Sequence, residues 1–142
     1  MYNIKIKYIG GIKVDMKIYN NKNEILICQR QAGGSCSELW EFPGGKLEAG
    51  ESLEACAVRE CKEELNADIK ILELYEESTY VYPENEIHFA FYKAMLMNDE
   101  LHMNVHQRIA WVSPSQIDEY SFCPADIEMI QRIKKEAEQL IK

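Results

Sequence analysis

The feature that most constrains this chain is a change of hydrophobic period at Ser52. From there to Asn66 the apolar residues Leu53, Ala57, Cys61 and Leu65 recur at steps of four, which writes one apolar stripe along an α-helix. Ser52 is suited to cap its start, and Asn66, tolerant of the left-handed conformation, to end it about four turns later. The other side of this helix carries Glu60, Glu63 and Glu64 at i, i+3 and i+4, so three carboxylates project together. Each like-charged pair costs roughly a few tenths of a kcal/mol, and Arg59 alone cannot neutralise all three. An acidic helix face is usually just a solvated face. Hard oxygen ligands in this arrangement also suit Mg²⁺ or Mn²⁺ shared with phosphate oxygens.

Around this helix the period is that of strands. Residues Ile4 to Tyr19 and Ile25 to Cys28 flank the turn-prone Asn20-Asn21-Lys22-Asn23, and a loop of small residues then leads to Trp40-Glu41-Phe42. The Pro43-Gly44-Gly45 run is expected to break regular structure. Ile69 to Tyr82 and Ile87 to Met97 form two strands about a Pro83-Glu84-Asn85 turn, Ile109 to Val112 is a shorter strand, and Pro114 opens a loop. Ile127 to Ile141 is a second amphipathic helix. One helix between strands and one at the end imply an α/β fold, a mixed sheet packed between helices, and 142 residues are expected to form one domain spanning 1–142.

The formal net charge of −8 disfavours nucleic acid or an anionic membrane surface as partner, so an anionic substrate must meet a cation. Five cysteines without a C-x-x-C pair suggest neither a disulfide framework nor a zinc knuckle. Met1 to Tyr8 lacks the apolar stretch of a signal peptide, and no run is long enough to span a bilayer, so a cytoplasmic location is expected.

Gly45, five residues, Glu51, seven residues, then Arg59-Glu60-Cys61-Lys62-Glu63-Glu64 resembles the long spaced signature of the Nudix hydrolase family. The approach Trp40-Glu41-Phe42-Pro43-Gly44-Gly45-Lys46 resembles that of MutT-type members, and Phe122-Cys123-Pro124-Ala125-Asp126 is similar to the base-recognition segment of MutT and of bacterial CTP pyrophosphohydrolases. The resemblance implies a Nudix α/β/α sandwich. It also implies Mg²⁺-dependent hydrolysis of a nucleoside triphosphate, 8-oxo-dGTP or a cytidine-type nucleotide, to a monophosphate and pyrophosphate in nucleotide-pool housecleaning. Glu60, Glu63, Glu64 and the Gly44 carbonyl would hold metal, Arg59 would orient a glutamate and Glu51 would support it. Arg30 would contact phosphate. Lys46, Phe42 and Tyr82 are further substrate-binding candidates, the two aromatics as pocket members, and Asp126 would read the base, although it also stands where an N-cap for the last helix belongs.

Three departures lie in the signature, Cys61 at an apolar position, Asn66 at its closing glycine and Ala67 after it. A larger one is Val105, where MutT-like proteins carry a glutamate ahead of the glutamine matching Gln107; that role is either absent or falls to Asp99, Glu100, His106 or a helix glutamate. Rival readings are cleavage of a nucleoside diphosphate derivative such as ADP-ribose, or a nucleotide-binding module without turnover. The sequence leaves open the base, the phosphorus attacked and whether the chain is a monomer or homodimer. His102 and His106 lack the glutamate of H-E-x-x-H and give little support to zinc.

Overall fold

The computed structural model describes residues 11–141. Strands β1 (Ile12–Tyr19), β2 (Ile25–Gln29), β3 (Trp40–Glu41) and β4 (Gly44–Lys46) precede helix α1 (Leu53–Leu65). Strands β5 (Ile69–Val81), β6 (Glu86–Leu96) and β7 (Arg108–Val112) follow, then two 3₁₀ turns (Pro114–Glu119 and Pro124–Asp126) and helix α2 (Ile127–Ile141). The part of the expected first strand before Gly11 lies outside the described residues.

The sheet is mixed. Its central path runs β3-β2-β1-β6-β5, with β4 paired to β1 and β7 to β2. β1 runs parallel to β6 and antiparallel to β2 and β4. Strand alternation sorts the side chains onto two faces. Ile12, Val14, Met16 and Ile18 of β1, with Leu26, Cys28, Ala90, Tyr92 and Ala94, pack against Cys56, Ala57, Cys61 and Leu65 of α1. Ile25, Ile27, Phe89 and Phe91 meet Met129, Ile130 and Ile133 of α2 on the other side. The intervening residues of β1, Lys13, Asp15, Lys17 and Tyr19, therefore belong to the α2 face, a row of polar side chains within a covered sheet.

α1 keeps the caps its sequence implies. The Ala55 N–H donates to the Ser52 hydroxyl, and Asn66 ends the helix in the left-handed conformation at φ 54°. Two expectations need correction. The Gly44-Gly45 run is not a break but strand β4, which registers Gly44, Gly45 and Lys46 against Asp15, Val14 and Lys13. The segment after Pro114 is a 3₁₀ turn, with proline in its first turn where a missing N–H costs nothing.

The glycines of β4 answer a steric demand. A Cβ on Gly44 would lie 2.2 Å from the Val14 carbonyl oxygen, and one on Gly45 would lie 2.1 Å from Cδ of Glu60. At Gly44 the obstacle is backbone and only hydrogen fits, whereas at Gly45 a side chain would have to push the Glu60 carboxylate aside, so β4 brings its backbone directly against the acidic face of α1.

Candidate active site

The acidic face of α1 is organised by one guanidinium. Arg59 Nε donates to Glu51 at 2.6 Å, while its terminal nitrogens reach Glu51 at 2.9 Å, Glu60 at 2.7 Å and Glu63 at 3.2 Å. A further bond to the Lys46 carbonyl ties this cluster to β4. The Arg59 hydrogen bonds hold the Glu51 carboxyl at about 2. Glu64 stands apart, accepting from the Gly44 N–H at 3.1 Å, and burial pushes its carboxyl up to about 7 against that bond. Among the described residues no three His, Cys, Asp or Glu side chains already converge as a metal cluster. Arg59 draws Glu60 and Glu63 toward itself while Glu64 turns to β4. The donors nonetheless remain hard oxygens on one helix face, next to a backbone that admits no side chain.

Beside this face lies a cleft of about 360 Å³. Arg30, Gly44, Gly45, Lys46, Glu64, Tyr82 and Asp126 all line it, so one cavity collects residues from both ends of the sequence pattern. Phe42 does not belong there. It is 1% exposed and packs on Phe91 and Phe122 at centroid distances of 6.2 and 5.6 Å, because the alternation of Trp40-Glu41-Phe42 turns Glu41 toward the cleft and Phe42 into the core.

Asp126 is held in place through β3. Trp40 N–H donates to the Ser121 carbonyl at 2.8 Å, and Cys123 N–H to the Trp40 carbonyl at 2.9 Å, so the turn Pro124–Asp126 is anchored to the sheet edge. Asp126 is buried, and burial with the nearby Asp15 charge pushes its carboxyl well up, opposed by Lys13.

Sequence reasoning assigned no role to Glu41, Lys13 or Asp15 beneath the cleft. Glu41 is a hub: His106 Nε2 lies 2.8 Å from it, Arg30 donates at 3.2 Å, and the Lys13 ammonium is 3.8 Å away. Burial alone would raise its carboxyl, but the His106 hydrogen bond and the charges of Lys13 and Arg30 outweigh that and hold it below the ordinary range. Lys13 also lies 3.8 Å from Asp15. Asp15 is 1% exposed, its Oδ1 has no hydrogen bond, and burial lifts its carboxyl to about 7. The alternation of β1 was the available signal for Lys13 and Asp15, had the covered face been known.

Among the candidates for the role vacated at Val105, Asp99 and Glu100 are exposed, and Val105 itself is half exposed with its carbonyl accepting from Gln31. His106 alone among the non-helix candidates is buried and joined to the cleft, through Glu41. No helix of the described residues is long and apolar enough to cross a membrane.

The spaced glutamates, the glycine strand and the cleft between them agree with a match of residues 11–141 to the NUDIX domain family model. The chain belongs to the Nudix family. It is 34% identical over 124 residues to the 8-oxo-dGTP diphosphatase of Haemophilus influenzae, covering 87% of this chain and 91% of that protein. It is also 32% identical over 120 residues to the CTP pyrophosphohydrolase of Escherichia coli, covering 84% of this chain and 89% of the relative. The crystal structure of the MutT protein from Methanosarcina mazei superposes with a TM-score of 0.77 over 89% of this chain and 94% of that one, at 24% identity, a likeness of fold. These matches make the chain a MutT-like Nudix hydrolase, and the mixed sheet between two helices is the Nudix architecture.

Proposed function

We infer that this Nudix hydrolase cleaves a nucleoside triphosphate, 8-oxo-dGTP or a cytidine-type nucleotide, to the monophosphate and pyrophosphate, with Mg²⁺ or Mn²⁺ as cofactor. The observation that carries this reading is the single cleft in which Glu64 and the Gly44–Lys46 strand face Arg30 and Asp126. A polyphosphate laid from Arg30 toward α1 would leave its base beside Asp126 and Tyr82.

The resident metal would be held by Glu60, Glu63 and Glu64, with the Gly44 carbonyl as a further oxygen donor. When bound, such an ion neutralises phosphate charge, polarises phosphorus and acidifies a coordinated water. The chain's own groups do the rest. Arg59 competes for Glu60 and Glu63, so it keeps them extended and paired before a cation arrives. Burial of Glu64 disfavours its charge, and a cation beside it would reverse that balance. Arg30, steadied by Glu41 and by the Ser35 carbonyl at 3.3 Å, offers a guanidinium to phosphate oxygens. Glu51 takes no direct part and fixes Arg59 through two bonds.

Asp126 is proposed as the base reader. Burial and the Asp15 charge push its carboxyl up and so favour the protonated form, which offers an O–H donor beside a carbonyl acceptor. That pair matches the N4 amino group and N3 of cytosine, and equally O6 and the N7–H of 8-oxoguanine. The names of the two relatives divide along the same line.

A panel of nucleoside triphosphates and nucleoside diphosphate derivatives, assayed for pyrophosphate and monophosphate with and without Mg²⁺, tests the reading. Fastest release of pyrophosphate from 8-oxo-dGTP or CTP is expected. Preferred cleavage of ADP-ribose to AMP and a sugar phosphate would overturn it, as would tight nucleotide binding without turnover.

A further inference from the structure

The α2 face of the sheet holds a second cavity, an open cleft of about 560 Å³ walled mainly by β1, β5, β6 and α2 and lined by none of the residues of the candidate active site. Lys17 and Lys93 lie in it. They are direct register partners across the parallel β1–β6 pair, so the ladder sets two like charges side by side on one face. Such pairing is unfavourable by itself, and it occurs in a chain whose formal net charge is −8.

Among the described residues neither ammonium has a carboxylate in contact, and Glu136 and Glu73 act on Lys17 only from a distance. Lys17 is 2% exposed, yet no carboxylate lies within 4.0 Å of it or of Lys93. Their near neighbours are aromatic: Lys17 stands 3.0 Å from the Tyr75 ring centroid, and both lysines lie 5.4 Å from that of Tyr19. A ring face softens the burial of a cation but does not discharge two.

The carboxylates of this cavity are committed elsewhere. Arg132 stacks on Tyr75 and takes Glu76 at 3.2 Å and Glu136 at 3.3 Å, and Glu136 also accepts from the Tyr75 hydroxyl. Glu73 pairs in register with Lys93 across the β5–β6 ladder but is exposed and makes no ion pair with it. The wall is therefore finished around Arg132 and unfinished around the lysines.

We propose that this cavity is a second ligand site, in which Lys17 and Lys93 together hold a phosphoryl-type oxyanion, either free phosphate or the phosphate of a small molecule. A tetrahedral anion between two ammonium groups would receive charge-assisted hydrogen bonds from both and convert their repulsion into attraction. The cavity exceeds the needs of one phosphate and falls in the range of small-molecule sites, with Tyr19 and Tyr75 available to cover an attached group. This proposal does not depend on the hydrolytic reading.

The same geometry accounts for the environment of Lys17. Burial, then the charges of Lys93 and Arg132, bring its ammonium down to about 7 against the opposing pull of Glu136 and Glu73. An anion would restore its proton, so binding should weaken as pH rises.

The test is calorimetric titration of the full chain with inorganic phosphate, with CMP and with sulfate. Chelator removes divalent ions, and chloride fixes the ionic strength. Saturable one-to-one binding is expected, weakened roughly tenfold or more in Lys17→Met and in Lys93→Gln and retained in Arg30→Ala. Tighter binding of phosphate than of CMP would identify a free anion, and the reverse order a phosphorylated small molecule; both support the site. Sulfate, which does not titrate in this range, should bind roughly tenfold more weakly at pH 8.5 than at pH 6.5. Should Lys17→Met fail to fold, the partly exposed Lys93→Gln carries the same comparison. Absence of saturable binding, equal binding in both lysine variants, or loss only in Arg30→Ala would overturn the proposal.

Discussion

Lys13 and Lys17 sit four residues apart on the same face of β1, and their surroundings are opposite. Lys13 lies 3.8 Å from both Asp15 and Glu41, and the Asp15 charge holds its ammonium well above the usual lysine range despite burial. Lys17 has a lysine and two tyrosine rings for neighbours, and burial brings it down to about 7. One strand thus serves two cavities, and the neighbours rather than the residue type decide what each lysine can do. In the first cavity Lys13 stands close to two carboxylates, and in the proposed function a polyphosphate would be met by Arg30 and by a cation held on α1. In the second, Glu136 is taken by Arg132 and Glu73 makes no ion pair with Lys93, so neither carboxylate of the wall contacts a lysine.

The comparison can be broken most severely at the first cavity. Gly45→Ala would drive a methyl group into the Glu60 carboxylate, and kcat is expected to fall on the order of 100-fold, while phosphate binding at Lys17 persists. Steady-state kinetics beside calorimetry would show the split; equal damage to both would mean general unfolding.

Lys13→Met should be next in size. It leaves Asp15, Glu41 and Asp126 without their shared cation, and urea denaturation at pH 7 is expected to show a loss of about 2 kcal/mol. An unchanged midpoint would remove Lys13 from its place as the counter-charge of the cleft.

Lys17→Met should move the other way. A lysine with a lowered folded pKa is charged in both states below about 7, so its burial penalty is then fully present. Between pH 7 and the unfolded value near 10.5 the unfolded chain keeps the proton that the fold has lost, and stability rises with pH. The wild type should therefore gain roughly 1–2 kcal/mol from pH 7 to 9 through this group, and Lys17→Met should lose that slope and be no less stable at pH 7. A slope that survives the substitution would assign it to other groups.

The smallest effect is expected at Glu51. Its carboxyl is held at about 2, so its contribution is present above the unfolded value near 4.5 and disappears as pH falls toward 2. Glu51→Gln should therefore lower stability slightly at neutral pH, leave it unchanged near pH 2, and flatten the acid dependence between, as followed by circular dichroism.

How legible these features were in the sequence follows from what each depends on. α1 was legible because its period, its Ser52 cap and its Asn66 end are local, and the spaced glutamates needed only the helix to be brought together. β4 was not, because glycine reads as a breaker unless one knows that Val14 and Glu60 press on either side of it. Phe42 was misjudged because whether an aromatic lines a cleft or the core depends on which side of the chain it takes, here just past the two-residue strand β3. Lys13, Asp15 and Lys17 were passed over because alternating polar residues read as a wet face, whereas α2 covers this one. Sequence could name His106 among the candidates for the role vacated at Val105 but not its contact with Glu41, which lies 65 residues away in the chain.

The central claim is that the acidic face of α1 gathers a divalent cation against a polyphosphate. It is tested most directly by Mn²⁺ titration followed by electron paramagnetic resonance, with and without a non-hydrolysable triphosphate analogue. The account predicts saturable Mn²⁺ binding that tightens with the analogue and weakens roughly tenfold or more in Glu60→Gln and Glu64→Gln. Equal Mn²⁺ binding in wild type and both variants, or nucleotide hydrolysis undiminished by chelator, would contradict it.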